Sequence, residues 1–300
     1  MKILLLGKNG QVGWELQRAL APLGELVGCD FDSPGALKAD FSQPESLRAL
    51  IRAVAPDVIV NSAAHTAVDR AESEPDFARA LNATAPGVIA EEAAARGAWL
   101  VHYSTDYVFD GSGSHARDED APAGPLSVYG RTKLEGEQRI RASGCRHLIL
   151  RTSWVYAARG GNFARTMLKL AAERESLSVI ADQWGAPTGA ELLADVTAHA
   201  LVRVRAEPEL GGTYHCVAGG EINWHGYARH VIDWARAHGQ GVKVAPGAIH
   251  AIPTSAYPTP AARPLNSRLS TARLQAAFGL HLPHWQLGVE RMLAEVLATP

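Results

Sequence analysis

The first twenty residues contain an apolar run, a glycine-spaced loop and a helix-like segment in immediate succession. Residues 2–6 (KILLL) predict a buried strand rather than a signal peptide. Gly7, Gly10 and Gly13 follow, and residues 14–20 predict a helix. Such a loop lets backbone N–H groups and the positive end of the helix approach a pyrophosphate. Glycine triplets also occur in ordinary turns, but the strand–loop–helix order favours a dinucleotide site.

The second apolar run, residues 25–30, ends in an acidic side chain. The Asp30 carboxylate is placed to accept hydrogen bonds from an adenosine ribose, and it would repel a 2′-phosphate, which favours NAD over NADP. Lys8, inside the glycine loop, has the opposite effect because its ammonium group offers a partner for that phosphate. The residues therefore leave NADH and NADPH both open as cofactors.

Apolar runs and helix-like segments alternate as far as residue 151. Further strands are predicted at residues 57–61, 99–103 and 147–151, and helices at residues 45–54, 77–96 and 131–142. This alternation predicts an α/β fold with a Rossmann-type, doubly wound, mainly parallel sheet. After Tyr156 the alternation is lost. We therefore predict a dinucleotide-binding domain over residues 1–156 and a smaller C-terminal substrate-binding lobe over residues 157–300, with the two interleaved.

The stretch from Tyr103 to Lys133 carries residues suited to acid–base chemistry. Tyr129 and Lys133 are four residues apart at the head of a predicted helix, so that both side chains face one small volume. A nearby ammonium group lowers the pKa of a tyrosine and moves the phenol toward general acid–base behaviour. Thr105, or Ser104, supplies a hydroxyl group at the end of the preceding strand. The alternative is that Tyr-x-x-x-Lys is a chance pair on a helix.

Four further side chains allow both a functional and a structural interpretation. His65 follows the third strand and suits either a binding loop or a structural position. Trp154 stands at the exit of a strand, where a tryptophan either packs against the core or stacks on a sugar ring. Arg263 and Arg268 flank a turn and suit a diphosphate anchor, although arginines are commonly exposed to solvent. The sequence leaves these alternatives open.

Charge and composition exclude several classes of partner. The net charge is −2 with mixed signs, which gives no electrostatic case for nucleic acid or an anionic membrane. No apolar run approaches the roughly 20 residues that span a bilayer. Three scattered cysteines without Cys-x-x-Cys spacing predict ordinary buried thiols in a reduced, cytoplasmic protein. With 300 residues, 47% of them hydrophobic, the chain can bury one large core or two modest ones.

An ordered set of motifs extends over the whole chain. The set comprises Gly7–Gly13, residues 61–69 (NSAAHTAVD), 103–109 (YSTDYVF), Tyr129–Lys133, and residues 151–156 (RTSWVY), 185–188 (GAPT) and 263–269 (RPLNSRL). In this order the motifs resemble the extended short-chain dehydrogenase/reductase family. Within that family the chain is similar to the enzymes that complete dTDP-L-rhamnose synthesis for cell-envelope polysaccharides.

The resemblance implies roles for individual residues. Thr105, Tyr129 and Lys133 would form the catalytic group, and Thr105, Asp106 and Trp154 would contact the sugar. With the glycines read above, the residues lining the nicotinamide dinucleotide would be Gly7, Gly10, Gln11, Val12, Gly13, Asp30, Asp40, Phe41, Ala64, His65, Thr66, Tyr129 and Lys133. Some family members bind Mg²⁺ at a dimer contact. Glu15, Glu191 and Glu295 would correspond to those ligands in a homodimer, although glutamates on helices are usually solvated.

The reaction that the resemblance implies is reduction of the C4 ketone of a nucleotide sugar, dTDP-4-dehydro-L-rhamnose, by NADPH or NADH. Hydride would pass to the carbonyl carbon while Tyr129 protonates the oxygen. Lys133 would hold the nicotinamide ribose and lower the pKa of Tyr129. Thr105 would donate a hydrogen bond to the same oxygen, where charge develops.

Two rival functions share parts of this pattern. Nucleotide-sugar dehydratases and epimerases have the same fold and the Tyr-x-x-x-Lys pair but retain their NAD. Dehydratases usually show Thr-Asp-Glu, whereas the third residue here is Tyr107, which argues against dehydration; epimerisation is less cleanly excluded. Other relatives are non-catalytic regulatory subunits of a partner enzyme, and an intact set of Thr105, Tyr129 and Lys133 argues against that role.

Overall fold

A parallel sheet lies at the centre of the protein, whose computed structural model describes residues 1–298. The strands are β1 (Lys2–Leu6), β2 (Glu25–Cys29), β3 (Val58–Asn61), β4 (Trp99–Thr105), β5 (Arg146–Thr152), β6 (Val155–Tyr156), β7 (Leu177–Ile180), β8 (Trp184–Gly185), β9 (Thr188–Gly189), β10 (Gly212–His215), β11 (Ile222–Asn223) and β12 (Ile249–Ile252). The helices are α1 (Gln11–Leu20), α2 (Pro44–Val54), α3 (Val68–Ser73), α4 (Pro75–Arg79), α5 (Ala85–Arg96), α6 (Val128–Ala142), α7 (Phe163–Glu173), α8 (Ala190–Ala206), α9 (Trp224–Ala237), α10 (Ala272–Phe278) and α11 (Trp285–Ala298).

The central sheet has the strand order β10-β5-β4-β3-β1-β2, and all of its neighbours are parallel. The chain moves from β1 outward to β2 and then returns to place β3 on the other side of β1. The carboxyl ends of β1 and β3 therefore border a switch point, where open α/β sheets bind their ligands. The predicted α/β, doubly wound parallel fold is confirmed.

Both faces of the sheet are covered by helices, so its strands are apolar almost throughout. One core packs Leu5, Val60 and Val101 against Leu16 of α1 and Leu201 of α8. The second core, on the opposite face, is made by α2 and α5 with the end of α6, and includes Leu4, Ile51, Ile59, Ile89 and Ile140. Burial of each such aliphatic side chain contributes about 1.5–3 kcal/mol. These two cores therefore support the strands that border the switch point from both faces of the sheet.

Residues after 156 contribute to two different bodies. Helix α8 packs against α1, and β10 pairs with β5, so both belong to the central sheet unit. The other core lies between α7, α9 and α11, with Met167, Tyr227, Val231, Trp285 and Val289 inside it. The sheet unit therefore includes segments on both sides of residue 156. The division into domains at this residue stays a prediction. Residues 299 and 300 of the predicted lobe lie outside the described residues.

The helix before β4 is interrupted by a wider turn. Residues Ala80–Thr84 form a π-helical segment between α4 and α5. Such segments occur frequently at functional sites because the extra residue redirects a side chain. Here the segment carries the buried Asn82. Within residues 1–298, no helix is long and apolar enough to cross a membrane.

Candidate active site

A cleft of about 980 Å³ opens at the switch point between the sheet and the smaller lobe. It is lined by many of the predicted residues: Gly7, Gly10, Gln11, Val12, Asp30, Asp40, Phe41, Ala64, Thr66, Thr105, Asp106, Tyr129, Lys133 and Trp154. Its lining also includes residues that the sequence analysis did not single out, among them Phe31, Lys38, Ser62, Arg70, Phe77, Ser153 and Trp224. Gly13, His65, Arg263 and Arg268 are not part of this lining. The volume of the cleft lies at the upper end of the range that is typical of ligand-binding sites, roughly 300–1,000 Å³.

Close backbone approaches explain two of the three loop glycines. Gly7 has φ +84°, and a Cβ there would lie 2.7 Å from the backbone nitrogen of Ala63. A Cβ on Gly13 would lie 1.9 Å from the carbonyl oxygen of Gly7. Gly10 precedes α1 as its N-cap without a side chain to satisfy the first amides. The loop therefore presents backbone N–H groups at the positive end of α1, beside Gln11 and Val12.

Asp30 lies at the adenosine end expected for the cleft. Its carboxylate accepts hydrogen bonds from the backbone N–H of Asn9 at 3.0 Å and of Phe31 at 2.8 Å. Lys38 pairs with Asp40 at 3.5 Å and places a cation on the same rim. Lys8 instead lies along Gly28 and is absent from the lining of the cleft. Lys38, which the sequence analysis missed, is thus the lysine that lines the cleft beside Asp30 and Asp40.

The start of α6 determines where Tyr129 lies. Ser127 is the N-cap, and its Oγ accepts a hydrogen bond from the N–H of Gly130 at 3.1 Å. The Glu72 carboxylate accepts another from the N–H of Val128 at 2.7 Å. A Cβ on Gly130 would meet the carbonyl oxygen of Tyr107 at 2.2 Å, so only glycine allows this approach. The first turn of α6 is therefore pressed against the end of β4, where Thr105 lies.

The pKa of Tyr129 differs from the expectation. Burial raises the pKa of Tyr129 to about 12, whereas its hydrogen bond with Thr105 acts to lower it. The prediction that Lys133 lowers this pKa is wrong for the structure, because the Lys133 Nζ is turned toward the sheet, where it contacts Tyr103 and His102. A tyrosine with this pKa is protonated at neutral pH and is still a stronger acid than an aliphatic alcohol. Tyr129 is therefore set up to donate a proton.

Lys133 lies one turn along α6 and is almost fully buried. Its Nζ donates to the carbonyl oxygen of Tyr103 at 2.6 Å and contacts Nε2 of His102 at 3.1 Å. Burial lowers the pKa of Lys133 to about 8, and the nearby Glu137 raises it. An amine with this pKa changes charge close to physiological pH.

The structure distinguishes between the two candidate hydroxyl groups at the end of β4. Ser104 donates its hydroxyl to Oε1 of the buried Glu137 at 2.6 Å, and Glu137 is also bound by Arg151 at 2.7 Å. Thr105 points the other way, because neighbouring residues of a strand face opposite sides. It accepts a hydrogen bond from the N–H of Tyr107 at 3.2 Å. Thr105 is thus the hydroxyl beside the phenol of Tyr129.

Asp106 is a buried carboxyl group in the lining of the cleft. Its Oδ1 accepts a hydrogen bond from Thr105 at 3.1 Å, whereas no hydrogen-bond partner is present for Oδ2 within residues 1–298. Burial raises the pKa of Asp106 to about 6. A buried polar atom without a partner costs stability, and at a functional site it commonly awaits a ligand. Asp106 is therefore suited to accept a hydrogen bond from a substrate hydroxyl.

We expect Asp106→Asn to stabilise the protein at pH 8 by on the order of 2 kcal/mol. The folded-state pKa is raised, so the folded protein holds this proton more tightly than the unfolded chain. The charged carboxylate is therefore destabilising above about pH 6, and the difference should vanish below about pH 4. Urea unfolding at several pH values measures this. Asp110→Asn is the control, because hydrogen bonds from Ser112 lower the pKa of Asp110 and its loss should not stabilise.

His65 is held by its backbone rather than by its ring. Asn82 of the π-helical segment accepts from the N–H of His65 at 2.8 Å and donates to its carbonyl oxygen at 3.1 Å. The same amide donates to Thr132 of α6 at 3.2 Å. The imidazole packs edge-on against Phe77. Asn82 thus fixes the loop that places Ala64 and Thr66 in the cleft, and this favours the structural interpretation of His65.

The two predicted arginine anchors are already paired. Arg263 binds Asp69 through two nitrogens, at 2.7 and 3.0 Å. Arg268 donates to Glu221 at 2.5 Å and lies over the ring of Trp184. Neither lines the cleft, so a diphosphate contact at either residue would require these pairs to open.

Trp154 stacks on a second tryptophan in the lining of the cleft. The rings of Trp154 and Trp224 are stacked at 3.5 Å, and Nε1 of Trp224 donates to Gln183 at 3.1 Å. Trp154 has φ +50°, a conformation that a bulky residue adopts only when its surroundings impose it. A Cβ on Gly185 would lie 2.8 Å from the Trp154 ring, which explains the glycine there. No local pattern pointed to Trp224, because it lies far from Trp154 along the chain.

The predicted magnesium ligands gain no support. In the described part of the chain, no group of three or more His, Cys, Asp or Glu side chains is arranged to hold a metal ion. Glu15 pairs with Arg18 and Glu191 with Arg291, each at 3.5 Å. The pKa of Glu191 is raised by burial, and the charges of Glu15 and Glu295 also act to raise it.

Comparison with known proteins agrees with this site. The fold and the cleft define an extended short-chain dehydrogenase/reductase. A family model described as the RmlD substrate binding domain matches residues 1–298. The dTDP-4-dehydrorhamnose reductase of Salmonella typhimurium is 57% identical over 299 residues, which are 100% of this chain and 99% of that protein. The Escherichia coli K12 protein of the same name is 56% identical over the same coverage. The chain belongs to the dTDP-4-dehydrorhamnose reductase family.

Solved structures show the same architecture. The Clostridium acetobutylicum dTDP-4-dehydrorhamnose reductase superposes with a TM-score of 0.88 at 32% identity, covering 99% of this chain and 100% of that one. The Bacillus anthracis dTDP-4-dehydrorhamnose reductase, solved in complex with NADP, gives 0.86 at 32% identity over 98% and 99%. A Thermus thermophilus UDP-glucose 4-epimerase with NAD reaches 0.81 at 19% identity, which shows the shared fold alone.

Proposed function

We propose that this protein reduces the C4 ketone of dTDP-4-dehydro-L-rhamnose to give dTDP-L-rhamnose, with NADPH or NADH as the reductant. The observation that carries the proposal is the meeting of Thr105, Tyr129 and Lys133 in the lining of one cleft, in a chain 57% identical to a reductase of that name. The glycine loop at the other end of the cleft supports a dinucleotide there.

The chain's own residues supply the proton and the stabilisation of charge. When bound, the nicotinamide dinucleotide provides the hydride for the carbonyl carbon. Tyr129 donates its proton to the oxygen that becomes an alkoxide, and its pKa of about 12 keeps that proton in place until then. Thr105 donates a hydrogen bond to the same oxygen, which stabilises charge as it develops. Lys133 holds the nicotinamide ribose, and Asp106 accepts from a hydroxyl of the sugar.

Both reduced cofactors remain part of the proposal. Asp30 suits a free 2′-hydroxyl, whereas Lys38 on the same rim suits a 2′-phosphate. The Bacillus anthracis relative was solved with NADP, which supports use of NADPH.

Trp224 should contribute to binding of the sugar substrate rather than of the cofactor. We expect Trp224→Leu to raise the KM for the nucleotide sugar by up to about tenfold, because an aromatic pair contributes roughly 0.5–1.5 kcal/mol. The KM for NADPH should change little. Trp234→Leu is the matched control, since Trp234 stacks on His238 at the end of its own helix and is absent from the cleft. Equal rises in both KM values would contradict this role for Trp224.

The activity test follows absorbance of NADPH and of NADH with dTDP-4-dehydro-L-rhamnose, and identifies the product by mass and chromatography. We expect stoichiometric consumption and dTDP-L-rhamnose as product, and the two rates rank the cofactors. An isomer of the substrate, formed without net consumption of either cofactor, would instead indicate an epimerase with retained NAD. Absence of turnover, with a stoichiometric partner enzyme in a pull-down, would indicate a regulatory subunit.

We also propose a cytoplasmic homodimer. The three cysteines are buried and free, which fits a reducing compartment. Light scattering at several protein concentrations tests the dimer.

A further inference from the structure

Three buried polar side chains form a line beneath the cleft. Asn61 at the end of β3 and His102 in β4 are register partners in the sheet, and Lys133 reaches them from α6. Their exposed fractions are 1%, 1% and 2%. Nδ2 of Asn61 lies 3.1 Å from Nδ1 of His102, and Nε2 of His102 lies 3.1 Å from Nζ of Lys133. Neither Asn61 nor His102 has a role in the function proposed above.

The orientation of the Asn61 amide is fixed by the backbone. The N–H of Ala63 donates to Oδ1 of Asn61 at 3.1 Å, and a backbone N–H can only donate. The amide oxygen therefore faces Ala63, and the NH₂ group faces His102. Nδ1 of His102 must then accept a hydrogen bond, so a neutral imidazole carries its proton on Nε2. Burial lowers the pKa of His102 well below the ordinary value, which keeps the ring neutral.

The proton on Nε2 points at Lys133. An ammonium group has no lone pair, so the contact is a hydrogen bond only when Lys133 is a neutral amine. In that form one N–H donates to the carbonyl oxygen of Tyr103 at 2.6 Å, and the lone pair accepts from His102. A charged Lys133 would place two donors against each other and would have to leave His102. The observed geometry is therefore that of the neutral amine.

Other charged groups near Lys133 do not replace this contact. Glu137, one turn along α6, favours the charged amine, but it is occupied by Arg151, Arg141 and Ser104. On the side of the cleft the titratable neighbours are Tyr129 and Asp106, with Tyr107 beyond them. His102 is thus the group in direct contact that favours the neutral form.

We propose that His102 is a positioning residue for Lys133: Asn61 fixes the imidazole proton on Nε2, this N–H holds neutral Lys133 against the sheet, and protonation of Lys133 releases its ammonium group toward the cleft. The proton taken up comes from solvent, and no other bond changes. The role of this release in catalysis rests on the proposed function, in which the ammonium group of Lys133 binds the nicotinamide ribose. The hydrogen-bond arrangement itself does not depend on that function.

The first test determines the tautomer in the intact protein without any turnover. Long-range ¹H–¹⁵N correlation spectra of ¹⁵N-histidine-labelled protein distinguish the two ring nitrogens, and His102→Gln assigns the signal. We expect the proton on Nε2 and no titration between pH 6 and 9. A proton on Nδ1, or a doubly protonated ring, would overturn the proposal. Because no substrate is used, failure of the ketone assay would leave this result standing.

The second test reverses the hydrogen-bond chain from Asn61 through His102 to Lys133, which we call the relay. Asn61→Asp should draw the imidazole proton to Nδ1, so that Nε2 accepts from an ammonium group. The titration midpoint of Lys133, followed by ¹³C-lysine spectra, should then rise by about one unit or more. Asn61→Asp combined with His102→Phe keeps the new carboxylate but cuts the relay, and should bring the midpoint back toward wild type. A midpoint that stays high would show a direct charge effect and reject the role of His102.

A control variant distinguishes the effect of His102 on the Lys133 midpoint from the effect of losing any histidine of the sheet. His147 lies on the neighbouring strand β5 and contacts the carbonyl oxygen of Cys145 at 2.8 Å, away from the cleft. His147→Gln should leave the Lys133 midpoint unchanged. An equal shift in this variant would contradict the proposal.

Discussion

Tyr129→Phe should lose about 10²–10⁴-fold in kcat and keep its affinity for the dinucleotide. The substitution removes the proton that the alkoxide needs and leaves the ring, which packs edge-on against Tyr107 at 5.4 Å between ring centres. Steady-state rates with the nucleotide sugar give kcat, and fluorescence titration with NADPH gives the affinity. Because the phenol is protonated throughout the neutral range, the loss should be similar at pH 6 and pH 8.

Tyr107→Phe is the comparison that identifies the donor. It removes the neighbouring phenol, which also lines the cleft, without touching the hydroxyl that meets Thr105. This variant should keep most of its activity. If Tyr107→Phe lost as much activity as Tyr129→Phe, the assignment of Tyr129 as the proton donor would be contradicted. Near-normal turnover by Tyr129→Phe would show that Tyr129 is not the proton donor.

Arg151→Met should lower the free energy of unfolding by about 3–5 kcal/mol, because it leaves a buried charge without its main partner. The side chains of Glu137 and Arg151 are 0% and 6% exposed, and two hydrogen bonds of 2.9 and 2.7 Å join them. Arg141 remains as a neighbour but is more exposed. Urea unfolding at pH 7 measures the change.

The pH dependence and two further variants test the cause of that loss. Burial alone would raise the pKa of Glu137, but Arg151, together with Ser104 and Arg141, acts against burial and the pKa is lowered. The ion pair of Glu137 and Arg151 therefore adds to the free energy of unfolding above the ordinary carboxyl pKa of 4.5. This stabilisation is lost as the pH falls below that value. Arg151→Met combined with Glu137→Leu should recover part of the stability. Arg203→Met breaks an exposed pair with Glu207 and should cost less than about 1 kcal/mol.

Local patterns were sufficient for the first five strands of the central sheet, β1 to β5. Strand β1 coincides with the predicted run at residues 2–6, and β2 and β3 differ from their predictions by a single residue. Near-continuous apolar runs are typical of strands covered on both faces, so the signal was strong. Helix α6 was predicted to start at residue 131, but it starts at Val128, directly after its N-cap Ser127. The residues around this start show no helical spacing of apolar side chains, so the pattern did not reveal it.

The later part of the chain was harder to interpret. No local pattern indicates that helix α8, which follows residue 156, packs against α1 in the sheet unit. Strand β10 has only four residues, with two glycines just before Thr213, and it is a strand because β5 offers an unpaired edge. Short segments of this kind take their structure from the neighbour that they pair with, which a local pattern does not contain.

The sequence by itself determined the order of strands and helices, the glycine loop and the spacing that brings Tyr129 and Lys133 to one helix face, since these depend on near neighbours in the chain. Tertiary structure decided which hydroxyl faces the phenol, because Glu137 takes Ser104 and leaves Thr105. It also decided that burial raises the pKa of Tyr129 and that Lys133 meets His102, contacts between residues far apart in sequence. Charge and proton affinity depend on which groups surround a side chain in space, and only the folded chain brings those groups together.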